Sequence, residues 1–213
     1  MELRDLASTL DFDYVIIGAG TAGCLLANRL SQNPDNKVLV LEAGSKDKYL
    51  RTKIPVGYLF SMGNPKTDWC YTTEKEEGLN GRSLNYPRGR VLGGSSAING
   101  MIYMRGQAKN YDHWKNEGNI GWGWDDVLPY FKKSEDYFKG ADDFHGAGGA
   151  WRVEKQRLSW EVLDSFSEAC AQSGILPSED FNCGTNFGVG YFEVNQRKGF
   201  RVSADSAFLK PIR

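Results

Sequence analysis

Tyr14-Val15-Ile16-Ile17-Gly18-Ala19-Gly20-Thr21-Ala22-Gly23 is the stretch that decides the fold. Four apolar residues in a row read as a short strand buried on both faces, as strands of parallel sheets are. Three glycines follow at G-x-G-x-x-G spacing, and each meets a separate steric demand where a strand turns straight into a helix. Gly18 allows the tight turn, Gly20 removes the side chain that would block a pyrophosphate, and Gly23 lets the helix pack close to the sheet. The helix N-terminus then offers unpaired N–H groups and a positive dipole end to the phosphates.

Working outward, Ala22, Leu25, Leu26 and Leu30 place an apolar stripe on one helix face. Asn33-Pro34-Asp35-Asn36 breaks that helix. Val38-Leu39-Val40-Leu41 supplies a second buried strand, and Glu42 stands at its end, about 20 residues beyond the glycines, where an acid meets a ribose hydroxyl and repels a 2′-phosphate. Residues 13–42 therefore form one βαβ unit that disfavours NADP.

A second glycine cluster runs Arg88-Gly89-Arg90-Val91-Leu92-Gly93-Gly94-Ser95-Ser96-Ala97-Ile98-Asn99-Gly100. It gathers backbone donors, hydroxyls and two arginines, the ingredients of a loop that wraps an anionic ligand. Linkers rarely carry this much Val, Leu and Ile. Residues 89–99 match GRxxGGSSxxN at each fixed position, and on this signature the sequence resembles the glucose–methanol–choline family of flavin oxidoreductases. The likeness extends over nearly the whole chain: Asp13 to Gly23, Leu41-Glu42-Ala43-Gly44, Tyr111-Asp112-His113-Trp114, Gly118-Asn119, Gly121-Trp122 to Glu135, His145-Gly146 to Gly149, and Arg197-Lys198-Gly199 to Pro211. Tyr86-Pro87-Arg88 and Asn99 to Gly106 read most like the choline and alcohol dehydrogenase branch.

The resemblance implies an α/β, Rossmann-like FAD-binding fold with inserted segments of an α+β substrate domain, incomplete in this chain. Residues 11–45 and 85–110 would bind FAD, and 111–213 would form mixed segments, a cap and the start of the substrate domain. Gly18, Gly20, Thr21, Ala22, Gly23, Glu42, Ala43, Arg90, Gly93, Gly94 and Ser95 would hold the cofactor. Val91 and Asn99-Gly100-Met101-Ile102 would lie against the flavin. Some members tether FAD through a histidine just before the signature asparagine; Ile98 stands there, so FAD should be non-covalent. The implied reaction is oxidation of choline or another primary alcohol to the aldehyde, with hydride passing to flavin N5. A histidine, helped by a second His or Asn, takes the hydroxyl proton, and that pair lies near the carboxyl end of the family's chain, which is more than twice this length. No residue here is assigned as catalytic, so the chain by itself should be inactive. The electron acceptor is left unassigned. The alternatives are a non-catalytic flavin-binding fragment and an NAD-dependent dehydrogenase, and the loop at 88–106 and the expected lack of a Tyr-x-x-x-Lys catalytic pair argue against the latter.

Composition excludes other classes. With 26 Lys and Arg against 27 Asp and Glu, net charge is −1, which gives no electrostatic case for nucleic acid or an anionic membrane. Four cysteines without a CxxC pair and only two histidines speak against a metal site. Cys24, Cys70, Cys170 and Cys183 are expected to be mostly buried, reduced thiols. His113 and His145 are expected to be structural or exposed. Trp114, Trp122 and Trp124 should be buried or at an interface rather than stacking on a base. The opening residues read as neither signal peptide nor membrane span, which makes the cytosol the default compartment, with peripheral membrane association not indicated. Further elements are a helix begun by Asp125-Asp126 and carrying Val127, Leu128, Tyr130 and Phe131, and a helix from Trp160 to Ser173. In the latter, Ser159 is the N-cap, Gly174 the stop, and Val162, Leu163, Phe166, Ala169 and Cys170 the buried face. Val189 to Asn195 and Phe200 to Ser203 flank Arg197-Lys198-Gly199, which reads as a hairpin.

Overall fold

The computed structural model describes residues 11–46 and 49–213. The opening residues 1–10, read above for a leader or a span, lie outside the described residues. Among the described residues, no helix is long and apolar enough to cross a membrane. The chain divides into two compact units. One comprises residues through Gly100 together with Phe200–Arg213, and the other is Met101–Gly199. Residues 101–110 thus fold with the second unit and the last 14 residues with the first.

In the first unit, β1 (Tyr14–Ile17) pairs in parallel with β2 (Val38–Leu41), in register from Tyr14↔Val38 to Ile17↔Leu41. Helix α1 (Thr21–Leu30) connects them, so the βαβ unit stands where the apolar runs and glycines place it. The expected burial of its strands does not hold. Ile16 is buried, but Val15 is 53% and Ile17 87% exposed. Among the described residues these two strands form a sheet by themselves, which leaves their outer face without cover. The helix stripe is also corrected. Gly23, Cys24 and Ala27 are the buried residues of α1, while Leu26 is exposed. Small residues face the sheet because the glycine turn brings the helix axis too close for leucine. The returning segment packs on α1, where Asn28 Nδ2 donates to the Phe208 carbonyl at 2.8 Å. Its Asp205–Leu209 turn and the Lys210–Ile212 turn give the end of the chain more helical structure than its sequence announces. A short antiparallel ribbon, β3 (Tyr71–Thr72) with β4 (Asn85–Tyr86), completes the unit.

The second unit is built on three strands, β5 (Glu135–Tyr137), β6 (Trp151–Lys155) and β7 (Glu193–Val194). β5 runs parallel to β6, and β7 antiparallel to it. Helix α2 (Ala108–Asn116) carries the exposed His113 and begins with a capping box, in which Asn110 Oδ1 accepts the Gln107 N–H at 2.9 Å. Helix α3 (Trp124–Ser134) starts as expected, with Asp125 and Asp126 in its first turn and Lys132 and Lys133 in its last, each complementing the helix dipole. Tyr130 is not part of its inner face; it is 72% exposed. Trp114 and Trp122 meet edge to face at 6.1 Å and stay about half exposed, so they are not buried.

Helix α4 (Glu161–Gln172) is capped at Trp160 rather than Ser159. Gly174 stops it as expected: at φ +85° it donates its N–H to the Ala171 carbonyl, and Ile175 donates to Cys170, the pattern of a Schellman cap. Its expected buried face is exposed, with Val162, Leu163 and Phe166 all turned to solvent. The periodicity found the apolar stripe, but the segment 189–192, which lines a cavity with Leu163 and Phe166, covers it only in part. The cysteine expectation holds only for Cys24; Cys70 is exposed and the other two are intermediate, and all four are free thiols. Lys198 and Gly199 both take left-handed φ between the two-residue strands Gln196–Arg197 and Phe200–Arg201, so the reversal lies where expected, but Arg197 belongs to a strand and the first arm is not residues 189–195.

The centre of the second unit is charged. Glu135 is fully buried and accepts from Arg105 Nη2 at 3.0 Å and from the Gly146 N–H at 2.8 Å. His145 lies between carboxylates, with Nδ1 3.1 Å from Glu135 Oε1 and Nε2 2.9 Å from Asp180 Oδ2. The Tyr137 ring stacks on its imidazole at 3.7 Å. Of the two expectations for His145, structural or exposed, the structure gives the first: it is buried and paired on both ring nitrogens. Burial opposes its charge, but the hydrogen bonds and charges of Asp180 and Glu135 outweigh burial and raise its pKa to about 9. Asp180 is held below its usual range: burial pushes it up, and the hydrogen bond from His145 with the Asn182 N–H pulls it down further. A cation whose folded pKa exceeds its unfolded value of about 6.5 stabilises fully below that value and loses the effect as pH rises through the folded pKa. Thermal midpoints of the full-length protein should therefore fall, relative to the His145→Gln variant, as pH is raised from about 6.5 through about 9. A wild-type minus variant difference that stays flat over this range would contradict a buried imidazolium.

Candidate cofactor-binding site

The turn after β1 is held by its own backbone and by one acid. Gly18 takes φ +92° and donates its N–H to the Leu41 carbonyl at 2.7 Å, so the β1–β2 ladder continues into the turn. Glu42 Oε2 accepts the Ala19 N–H at 2.8 Å, and Oε1 accepts the Gly44 N–H at 2.7 Å. Before it meets any ligand, Glu42 thus fixes the shape of the glycine turn. Each carboxylate oxygen keeps a second acceptor direction for a hydroxyl.

The three glycines behave differently when a Cβ is placed on them. At Gly23 it would collide with the Gly18 carbonyl oxygen, so helix and turn touch there. At Gly20 it would meet nothing within 4 Å. That open space lies over the start of α1, whose first N–H groups lack intrahelical partners. The signature loop closes it from the other side. Gly93 donates its N–H to the Ala19 carbonyl at 2.8 Å, and a Cβ on Gly94 would lie 2.8 Å from the Gly20 Cα.

A cavity of about 560 Å³ results, lined by Gly18, Gly20, Glu42, Ala43 and Gly94 of the predicted set. Ile17, Leu41, Gly89 and Trp69 complete its lining. Trp69 escaped the sequence reading because no periodicity marks it. Its ring stacks parallel to Tyr71 at 5.9 Å, and the Arg90 guanidinium lies over it at 4.9 Å. Asp68 beside it is buried and accepts the Cys70 and Arg88 N–H groups on Oδ1, which ties the Trp69 segment to the start of the signature loop. Those backbone donors hold its carboxyl below the usual range in spite of burial.

The remaining predicted residues fall outside this lining. Thr21 and Ala22 are exposed at the start of α1, and Gly23 is packed beneath it. Arg90 touches Trp69 of the lining with its guanidinium, and its N–H donates to the Thr67 carbonyl at 2.8 Å. Val91 is fully buried in a small cluster with Ala97 and Ile98. Gly93 takes φ +91°, and Ser95 Oγ accepts the Gly89 N–H at 3.2 Å. Asn99 Oδ1 accepts from Arg201, and Gly100 is exposed. Met101, buried at φ +65°, and Ile102, bridged to Val194, belong to the second unit. Tyr-x-x-x-Lys spacings do occur, at Tyr49/Lys53, Tyr71/Lys75 and Tyr111/Lys115, but none of these residues lines the cavity.

A parallel βαβ turn, an open space at the second glycine, an acid at the end of β2 and a second glycine loop against the first define a dinucleotide-binding domain. A sequence profile of the GMC oxidoreductase family matches residues 12–213. The chain belongs to the GMC oxidoreductase family, whose members are FAD-dependent flavoproteins and whose N-terminal domain is the FAD-binding part. It is 41% identical to the mitochondrial choline dehydrogenase of Homo sapiens over 208 residues, covering 94% of this chain and 35% of that protein. The oxygen-dependent choline dehydrogenase of Photobacterium profundum is 39% identical over 202 residues, with 93% of this chain and 35% of that protein covered. Among solved structures, pyridoxine 4-oxidase from Mesorbium loti superposes with a TM-score of 0.89 at 38% identity, over 95% of this chain and 40% of that one. The chain thus spans little more than a third of the length of these relatives.

Proposed function

We propose that this chain forms the FAD-binding part of an enzyme that oxidises a primary alcohol, choline first among them, to the aldehyde. The observation that carries the reading is the open space at Gly20, bounded by the helix start, Glu42 and the glycine loop. Bound FAD supplies the hydride-accepting flavin, a chemistry no side chain can perform. The chain's own groups do the rest of the binding. The first N–H groups of α1 face a pyrophosphate with the positive end of the helix dipole. Glu42 accepts hydrogen bonds from ribose hydroxyls, which favours FAD over a 2′-phosphorylated nucleotide. Trp69 gives the cavity an aromatic wall. Proton abstraction from the alcohol is assigned to a histidine in the part of the relatives' length that this chain does not span, since His145 is occupied on both nitrogens and His113 does not line the cavity. The choline assignment is supported by the choline dehydrogenases among the relatives.

The test is to mix full-length protein with choline, and separately with simple primary alcohols, in the absence of oxygen. Bleaching of the visible flavin bands with aldehyde formation supports the reading. A yellow protein that no alcohol bleaches would leave a non-catalytic flavin module.

Non-covalent binding gives a further prediction. Ile98 occupies the tethering position, is buried with Val91 and Ala97, and offers no nucleophile. Acid precipitation should release all flavin into the supernatant, and colour retained in the pellet would contradict this.

A further inference from the structure

The signature loop is gripped from a part of the chain 100 residues away in sequence. Arg201 is 4% exposed. Its Nη1 donates to the Ser96 carbonyl at 3.1 Å and to Asn99 Oδ1 at 2.8 Å, and its Nη2 donates to the Asn99 carbonyl at 2.6 Å. Three residues on, the same segment adds a second tie: the Ala204 N–H donates to Ser96 Oγ at 2.8 Å. Asp205 closes the contact, since a Cβ on Gly93 would sit 3.3 Å from its Cβ. The loop so held is the one whose Gly93 N–H reaches the Ala19 carbonyl and whose Gly94 lies against Gly20.

We propose that Arg201 is a positioning residue for the flavin site, its planar guanidinium setting the curvature of loop 93–99 by holding three oxygen acceptors at once. The inference rests on the FAD assignment above. Three acceptors on one residue's fork fix direction as well as distance, and the ammonium of lysine, a point donor, cannot reproduce that geometry. A loop free to change curvature would move Gly94 relative to Gly20 and alter the wall of the cavity. Arg201 itself does not line that cavity, so its effect on FAD passes through the loop.

The experiment uses full-length protein and three variants: Arg201→Lys, Ser96→Ala and Val153→Ala. The last removes methyl groups from the buried core of the second unit, whereas the loop belongs to the first, and serves as a control for general destabilisation. FAD affinity is measured by titrating apoprotein, and the visible circular dichroism of bound flavin reports its surroundings. Arg201→Lys should weaken FAD at least tenfold and change the flavin dichroism, and Ser96→Ala should shift both in the same direction. Val153→Ala should lower the thermal midpoint while leaving both unchanged. Wild-type affinity and dichroism in Arg201→Lys would overturn the proposal. Should that variant not fold, Asn99→Ala, which removes the Oδ1 acceptor of Arg201, is measured in its place, and wild-type affinity and dichroism there would overturn the proposal. Wild-type protein that binds no FAD would instead refute the underlying assignment.

Discussion

Gly20→Val in the full-length protein is expected to purify colourless, with FAD affinity reduced at least 100-fold, about 2.8 kcal/mol. The fold should survive the change. Gly20 has φ −76° in extended backbone, which any residue adopts, and a Cβ there meets no atom within 4 Å. A branched side chain therefore fills ligand space and not protein space. The thermal midpoint of the apoprotein should stay near that of wild type while FAD no longer raises it. This separates Gly20 from Gly23, where any side chain would strike the Gly18 carbonyl and damage the fold itself. A yellow Gly20→Val protein with full flavin content would remove the pyrophosphate from this turn.

The second large effect is on stability. Arg105→Met should destabilise the second unit by about 3–5 kcal/mol, because it leaves a fully buried carboxylate short of its strongest partner. Glu135 and Arg105 bury 100% and 98% of their side chains in that pair, so water cannot replace the lost guanidinium. Arg105 also donates Nη1 to the Phe144 carbonyl at 2.6 Å, which would be orphaned too. The double variant Arg105→Met, Glu135→Gln should recover part of the loss by removing the stranded charge. Urea unfolding midpoints of the four proteins in that cycle give the coupling directly. Equal losses in the single and double variants would show that packing, and not charge, carries the effect.

The sequence was most legible where backbone geometry is obligatory. The run 14–17, the glycines at 18, 20 and 23, and Glu42 each answer a local demand that leaves a local mark. The same holds for the Gly174 stop and the Lys198–Gly199 turn, which need left-handed backbone. Burial was less legible, because it depends on what packs against an element. The stripes on α1 and α4 have helical period, yet close approach at Gly23 selects small residues on α1, and the segment 189–192 covers α4 only in part. Ties across long sequence separation left no pattern at all. Arg201 on Asn99, Asp68 on Arg88 and His145 on Asp180 are ordinary polar residues until the fold brings them together. Trp69 belongs with them, as one aromatic among 27 with nothing local to single it out.

The central claim is that the cavity between Gly20, Glu42 and the signature loop holds FAD. Its most direct test is calorimetric titration of the full-length apoprotein with FAD, NAD and NADP in parallel. Saturable binding of one FAD per chain, lost in Gly20→Val, with no comparable binding of either nicotinamide nucleotide, is the predicted result. Tight binding of NAD in place of FAD, or FAD binding that Gly20→Val leaves intact, would contradict it.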